Sequence, residues 1–285
     1  FEMAVLGCSE DMYRGLAIGA VAGVGTYICL RQLADAVSAG DADFSTTSNS
    51  HSGNVYETDR AVAEYLQFHY GKDADLLPYA NGPREALNFA SRTADMCVEW
   101  VDKLKLPRKA AFDVGCAVGR TSFDMSKSFD SVLGLDFSHK FVATADKLRS
   151  GASIKYTATM EGEARADFNC AAPTSANPDR IKFIQGDACN LPHGIGPFSV
   201  IHGANLLCRL PDPVKFLERL PSLLVSGGIV VLISPYSWLK SYTPKEKWLG
   251  GYAGPDGEVK DSFKGLTAVM EKLGFKLLHQ ENTPF

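Results

Sequence analysis

The chain has 285 residues, 45% of them hydrophobic, with 29 Lys and Arg against 33 Asp and Glu for a net charge of −4. That is apolar mass enough for one large domain or two small ones. Charge spread this thinly, without a basic run, argues against a nucleic-acid partner, and seven scattered cysteines without a CxxC pair argue against a disulfide framework or a zinc cluster.

The chain begins at Phe1 rather than Met, which fits a processed product or a piece of something longer, after removal of a targeting peptide. An uncharged run, GLAIGAVAGVGTYICL, lies between Arg14 and Arg31. Extended from Tyr13 to Leu33 with both arginines snorkelling, it predicts a membrane helix inside an N-terminal segment 1–37. Gly15, Gly19 and Gly23 would line one smooth stripe where another helix can approach; a signal-peptide remnant or a buried hairpin are the alternatives. Residues 38–54, small and polar, read as a linker. This organisation predicts an intracellular, membrane-associated protein, on an organellar membrane if a targeting peptide has been removed, or else a cytoplasmic one.

A globular domain is expected over 55–285. ETDRAVAEYLQFHYG has helical spacing, with Thr58 or Asp59 as cap and Gly71 as stop. GPREALNFASRTADMCVEWVDKLKLP reads as a second helix starting at Pro83. Short apolar runs then alternate with helical patterns. Strands are expected at Ala110–Val114, Ser131–Leu135, Ile181–Gln185, Phe198–Gly203, Ile229–Ser234 and Phe275–Gln280. Helices are expected at Val118–Lys127, His139–Arg149, Pro213–Leu224 and Ser262–Leu273. Strands buried on both faces and joined by helices make a doubly wound, Rossmann-like parallel α/β sheet. Such a sheet takes its ligands outside the carboxyl ends of its strands.

Those ends carry chemistry. The first reads Asp113-Val-Gly115-Cys-Ala-Val-Gly119, where Gly115 permits a turn against a ligand and Gly119 permits close helix packing; a plain tight turn is the alternative. Asp136 follows about twenty residues later, placed to accept ribose hydroxyls or merely to cap the next helix. Asp187, followed by Ala188, is placed to accept from an adenine amino group, and Asn205 faces cofactor or substrate.

In this order and spacing the pieces resemble class I S-adenosylmethionine-dependent methyltransferases; an NAD dehydrogenase is the rival. NVYETDRAVAEYLQFHYG, LPYANGPREALNFA, DVGCAVGRTSFDMS, ANLLCRLPDP and YTPKEKWLGG more closely resemble the 4-mercaptohistidine N-methyltransferases of ovothiol synthesis. The resemblance implies S-adenosylmethionine as cofactor and methylation of an imidazole nitrogen on a small thiol-bearing histidine. It also implies a further C-terminal strand, antiparallel in the sheet, which this sequence lacks after Phe285.

By that resemblance Asp113 serves the methionyl amino end, Gly115 and Gly119 the backbone approach, Asp136 the ribose, and Asp187 with Ala188 the adenine. Arg84 or Arg209 can hold a substrate carboxylate, and Tyr56, Asn205 and Tyr236 complete the substrate candidates. Tyr65 and His69 read more simply as core packing, and His202 as a satisfied core histidine. Two functions follow: an active small-molecule methyltransferase, or a methyltransferase-like accessory subunit of a membrane complex with reduced or lost catalysis.

Overall fold

The computed structural model describes residues 2–7, 55–79 and 81–285. Both the expected membrane helix at 13–33, with its glycine stripe, and the linker at 38–54 lie outside the described residues. Among the described residues no helix is long and apolar enough to cross a membrane.

The described chain forms β1 (Glu2–Gly7), α1 (Asp59–Tyr70), α2 (Asp73–Leu76), α3 (Phe89–Lys103), β2 (Ala110–Val114), α4 (Arg120–Met125), β3 (Ser131–Asp136) and α5 (His139–Arg149). There follow β4 (Ile154–Glu161), β5 (Ala164–Cys170), β6 (Ile181–Gln185), β7 (Phe198–Ala204), α6 (Pro213–Arg219), β8 (Leu224–Ser234), β9 (Tyr252–Ala253), β10 (Val259–Lys260), α7 (Ser262–Lys272) and β11 (Lys276–His279). Seven strands make one sheet in the order β11-β1-β8-β7-β2-β3-β6, and every recorded pairing within it is parallel. Strand order reverses between β2 and β7, and a doubly wound sheet opens its ligand crevice there.

The apolar pattern explains the layers. Phe112 and Val114 of β2 face Phe216 and Leu217 of α6 and Leu266 of α7 on one side. Ala111, with Cys97 and Val101 of α3 and Phe123 of α4, fills the other. All of these side chains are buried, and full burial of each large one contributes about 2 kcal/mol. On α1, the Thr58 hydroxyl accepts from Ala61 N–H as an N-cap, and Gly71 N–H closes the last turn on the Gln67 carbonyl.

Several expectations are corrected. The second helix does not start at Pro83. Residues 84–86 form a separate 3-10 turn, and Asn88 in the left-handed region (φ 56°) breaks the path before α3 begins at Phe89. The connection from β6 to β7, where no helix was expected, carries a 3-10 turn at Ala188–Asn190. The helix expected to run to Leu224 ends at Arg219 and continues as a 3-10 turn at Leu220–Leu223, where Pro221 cannot donate to an α-helical ladder.

Three strand elements have no counterpart among the expected ones, one of them the short antiparallel pair β9–β10. The antiparallel hairpin β4–β5 packs on α1, where the Tyr156 hydroxyl donates to Gln67 Oε1 at 2.7 Å. β1 lies parallel between β8 and β11, in the part of the sheet where the resemblance put an absent antiparallel strand.

Candidate active site

The crevice is built on consecutive strand ends. Asp136 closes β3, in register with Gln185, the last residue of β6. Gly186 N–H donates to the Asp136 carbonyl at 2.9 Å, so the chain carrying Asp187 leaves β6 beside the end of β3. Asp136 Oδ2 accepts from Ala117 N–H at 2.9 Å and Oδ1 from Ser138 N–H at 2.8 Å. Burial raises this carboxyl to about 6; the two N–H donors pull it down, while Asp113 and Glu57 push it up further. Asp187 accepts from Cys189 N–H at 2.8 Å, capping the turn that holds buried Ala188 at the same edge.

Between β2 and α4 the chain turns three times through positive φ, at Gly115 (75°), Ala117 (47°) and Gly119 (87°). Gly115 and Cys116 N–H both donate to the Leu135 carbonyl, which pins the turn to β3. A Cβ at Gly119 would stand 2.6 Å from Phe183 Cζ, so this position admits no side chain without a shift of the ring. Ala117 holds its strained conformation with its N–H locked on Asp136. The Cys116 thiol is buried and pushed well up by that burial, which makes it a poor nucleophile.

Asp113 lies one level below this loop and is 1% exposed. Its Oδ1 pairs with His202 Nδ1 at 2.9 Å and its Oδ2 accepts from Ser122 Oγ at 2.6 Å. His202 is the buried core histidine its strand position predicted, and its Nε2 has no partner among the described atoms.

Beyond the loop, Asn205 takes the left-handed conformation (φ 54°) and ties its N–H to the Ile233 carbonyl. An aromatic cluster assembles beyond the end of β3, where Ser138 Oγ donates to the Tyr56 carbonyl at 2.8 Å. The Tyr56 ring lies 6.2 Å from Tyr65, 5.9 Å from Phe141 and 6.1 Å from Tyr242. The Arg209 guanidinium sits 5.0 Å from the Tyr242 ring centre and donates from Nη1 to the Ser237 carbonyl at 2.8 Å. Burial pushes the Tyr56 phenol well up, with Tyr65 and Tyr242 adding and Arg209 opposing. Tyr242 rides on an irregular segment anchored by Thr243 Oγ1 donating to the Leu210 carbonyl and by Trp248 Nε1 donating to the Thr243 carbonyl.

Of the substrate candidates, the structure brings Tyr56 and Arg209 together and adds Tyr65 to them. Arg84 is exposed and donates to the Tyr79 carbonyl, outside this cluster. Tyr236 packs with the opposite hydrophobic cluster, and its hydroxyl has no partner among the described atoms. Tyr242 was missed; it stands in YTPKEKWLGG, one of the segments that carried the family resemblance. Among the described residues no group of His, Cys, Asp and Glu is arranged to hold a metal ion.

Residues 112–232 match the family described as methyltransferase domain. That span carries the sheet's central strands and the glycine loop, and S-adenosylmethionine is the cofactor in keeping with the match. The chain is 23% identical over 134 residues to ajmaline N-methyltransferase of Rauvolfia serpentina, covering 47% of this chain and 38% of that protein. It is 30% identical over 124 residues to demethylmenaquinone methyltransferase of Lactococcus lactis, covering 42% and 40%. The chain thus spans about two fifths of the length of these curated relatives. Among solved structures, the YcgJ protein of Bacillus subtilis aligns with a TM-score of 0.43 at 15% identity, over 64% of this chain and 67% of that one. Magnesium protoporphyrin IX methyltransferase of Synechocystis, solved with bound SAH, aligns at 0.35 and 21%, over 51% and 57%.

Proposed function

We propose that this chain, which carries a class I methyltransferase domain over residues 112–232, methylates a ring nitrogen of a small aromatic amino acid, and that the acceptor is the imidazole of a mercaptohistidine. The observation that carries the reading is the adjacency of two sites. A carboxylate-and-turn edge formed by Asp136, Asp187 and the Gly115–Gly119 loop runs into a cluster of three tyrosines and one arginine.

The residues fit an adenosyl ligand laid across the strand ends. Asp187 and Ala188 at β6 would take the adenine and Asp136 at β3 the ribose. Gly115 and Gly119 would let the backbone approach, and Asn205 at β7 would bound the amino-acid end. S-adenosylmethionine supplies a methyl group already made electrophilic by its sulfonium, so the acceptor nitrogen needs little more than a free lone pair. The protein's task is then alignment and exclusion of water. Tyr56, Tyr65 and Tyr242 would stack on the acceptor ring and keep it dry. Arg209, fixed by the Ser237 carbonyl, would hold the acceptor's carboxylate. A neutral imidazole carries that lone pair near pH 7, so no strong base is required.

The test is single-turnover methylation of a mercaptohistidine and of histidine by the purified chain with S-adenosylmethionine, read by mass spectrometry. Gain of one methyl on an imidazole nitrogen of the thiol-bearing compound is expected, with histidine a much poorer acceptor. Binding of S-adenosylhomocysteine without methylation of either compound would overturn the acceptor assignment. No binding would overturn the cofactor role.

A further inference from the structure

The acceptor cluster hangs from a turn that caps two helices at once. Thr58 closes the amino end of α1, taking Ala61 N–H on its hydroxyl at 3.1 Å. Glu57, one residue earlier, closes the amino end of α5. Its Oε1 accepts from His139 N–H at 2.7 Å and its Oε2 from Lys140 N–H at 3.3 Å. The first N–H groups of a helix have no partner inside it, and a carboxylate placed there also meets the positive end of the helix dipole. α5 already has its own cap in Ser138 Oγ, which accepts from Phe141 N–H at 3.1 Å. Glu57 is therefore a second cap, delivered from 82 positions away.

That delivery fixes Tyr56. Ser138 Oγ donates to the Tyr56 carbonyl at 2.8 Å, and the next residue along the chain is Glu57 itself. Asp59 adds an ion pair with Lys140. Phe141, in the first turn of α5, packs on two of the acceptor-side rings, 5.9 Å from Tyr56 and 4.7 Å from Tyr65. α5 starts just past Asp136, whose Oδ1 holds Ser138 N–H at 2.8 Å. One short stretch, Asp136 to Phe141, thus carries the crevice carboxylate at one end and the footing of two tyrosines at the other.

Stability of α5 alone does not account for Glu57. Ser138 supplies the ordinary cap, and Lys147 and Arg149 suit the negative end of the helix. What the helix would lose with Glu57 is its tie to the turn. The pair of contacts also asks for an acid: a carboxylate can accept two adjacent N–H groups on its two oxygens, a glutamine side chain has one accepting oxygen, and an alanine has none.

We infer that Glu57 is a positioning residue for the acceptor. By gripping the amino end of α5 it sets the Tyr56 ring against Phe141 and Tyr65, beside the strand end that carries Asp136. It acts through Tyr56 and not on the reacting groups. This rests on the reading of the tyrosine cluster as the acceptor site and names a residue outside that cluster on which acceptor binding depends.

The test measures methyl transfer to 4-mercaptohistidine at saturating S-adenosylmethionine and, by calorimetry, affinity for S-adenosylhomocysteine. Both run at about pH 8, where Asp136 is ionised with or without the Glu57 charge near it. Glu57→Ala should raise the acceptor KM about tenfold, the scale of a lost charge-assisted cap. The kcat should stay within threefold and S-adenosylhomocysteine affinity within twofold of the unaltered chain, as for a loss of ground-state binding alone. Glu57→Gln, which keeps one acceptor, should fall between the two. In a Tyr56→Ala background Glu57→Ala should add less than twofold, because the ring it positions is gone. The same tenfold factor on top of Tyr56→Ala, an unchanged acceptor KM, or a parallel loss of S-adenosylhomocysteine affinity would overturn the inference. Glu57→Gln decides the matter if Glu57→Ala does not fold. An unaltered chain that binds S-adenosylhomocysteine but transfers no methyl group to 4-mercaptohistidine would remove the acceptor reading and the inference with it, a result separate from the other three.

Discussion

On the cofactor side of the crevice, Asp136 and Asp187 sit within two residues of strand ends and are held by neighbouring backbone N–H groups. On the acceptor side, Tyr56, Tyr65, Tyr242 and Arg209 come from three segments far apart in the sequence and are held by ring contacts and by Arg209 donating to the Cys208 and Ser237 carbonyls. The first half repeats one local device at successive strand ends: a strand, a turn and a carboxylate held by backbone N–H groups. The second exists only after α1 has docked and the segment carrying Tyr242 has been pinned by Thr243 and Trp248. Change of acceptor should therefore be easy in this architecture and change of cofactor hard.

The sharpest way to break that contrast is Asp136→Ala. It should lower S-adenosylhomocysteine affinity by about 100-fold, since a charge-assisted hydrogen bond is worth about 1.5–3 kcal/mol, and should destabilise the loop by freeing Ala117 and Ser138 N–H. Calorimetry with a parallel thermal melt separates the two effects. Arg209→Lys should do the reverse, raising the acceptor KM by roughly tenfold or more because a point charge replaces a planar fork, with cofactor affinity unchanged. Equal effects on both ligands would mean that the two halves are one site. Gly119→Ala should cost about 1–3 kcal/mol of unfolding free energy through overpacking against Phe183 and positive φ, measured in urea. Tyr242→Phe, which keeps the ring and loses the hydroxyl, should change acceptor KM only about threefold.

Acidity gives a further handle. Asp136 titrates near 6 against an ordinary 3.8, so between those values the folded state keeps a proton that the unfolded chain gives up, and this group's contribution to stability falls as pH rises. His69 titrates near 4 against an ordinary 6.5; in that window the unfolded chain takes up a proton that the folded state refuses, so its contribution is lost as pH falls. The slopes oppose one another. Asp136→Asn should therefore steepen the loss of stability on acidification from pH 6 to 4, and His69→Gln should flatten or reverse it. Cofactor affinity of the unaltered chain should rise through pH 6 as the Asp136 carboxylate ionises to accept the ribose hydroxyls.

What could be read in advance follows the same division. Six strand runs with Val, Ile, Leu and Phe in short blocks announced themselves, and Ser131–Asp136 and Ile181–Gln185 stand within one residue of where their apolar pattern put them. The hairpin β4–β5 was missed although Ile154, Tyr156 and Ala158 alternate with Lys155, Thr157 and Thr159; its packed face is short and completed by small residues such as Ala158 and Cys170. The loop residues Asp113, Gly115, Gly119 and Asp136 were recognisable as a set, but not that Asp113 would be spoken for by His202, eighty-nine positions away. Pairings over such distances depend on register, and Tyr242 became part of the site only through the path of a segment without regular structure.

β1 gives the sheet an unusual dependence. Glu2 lies in register with Ile229 on one side and Lys276 on the other, so the outermost strand is joined to the rest through residues more than two hundred positions away in the sequence. Loop closure over more than two hundred residues makes this seam a late event. A chain emerging from the ribosome would have its crevice walls standing well before the border of the sheet is sewn shut, and amide exchange in β11 should report the opening of that seam ahead of global unfolding.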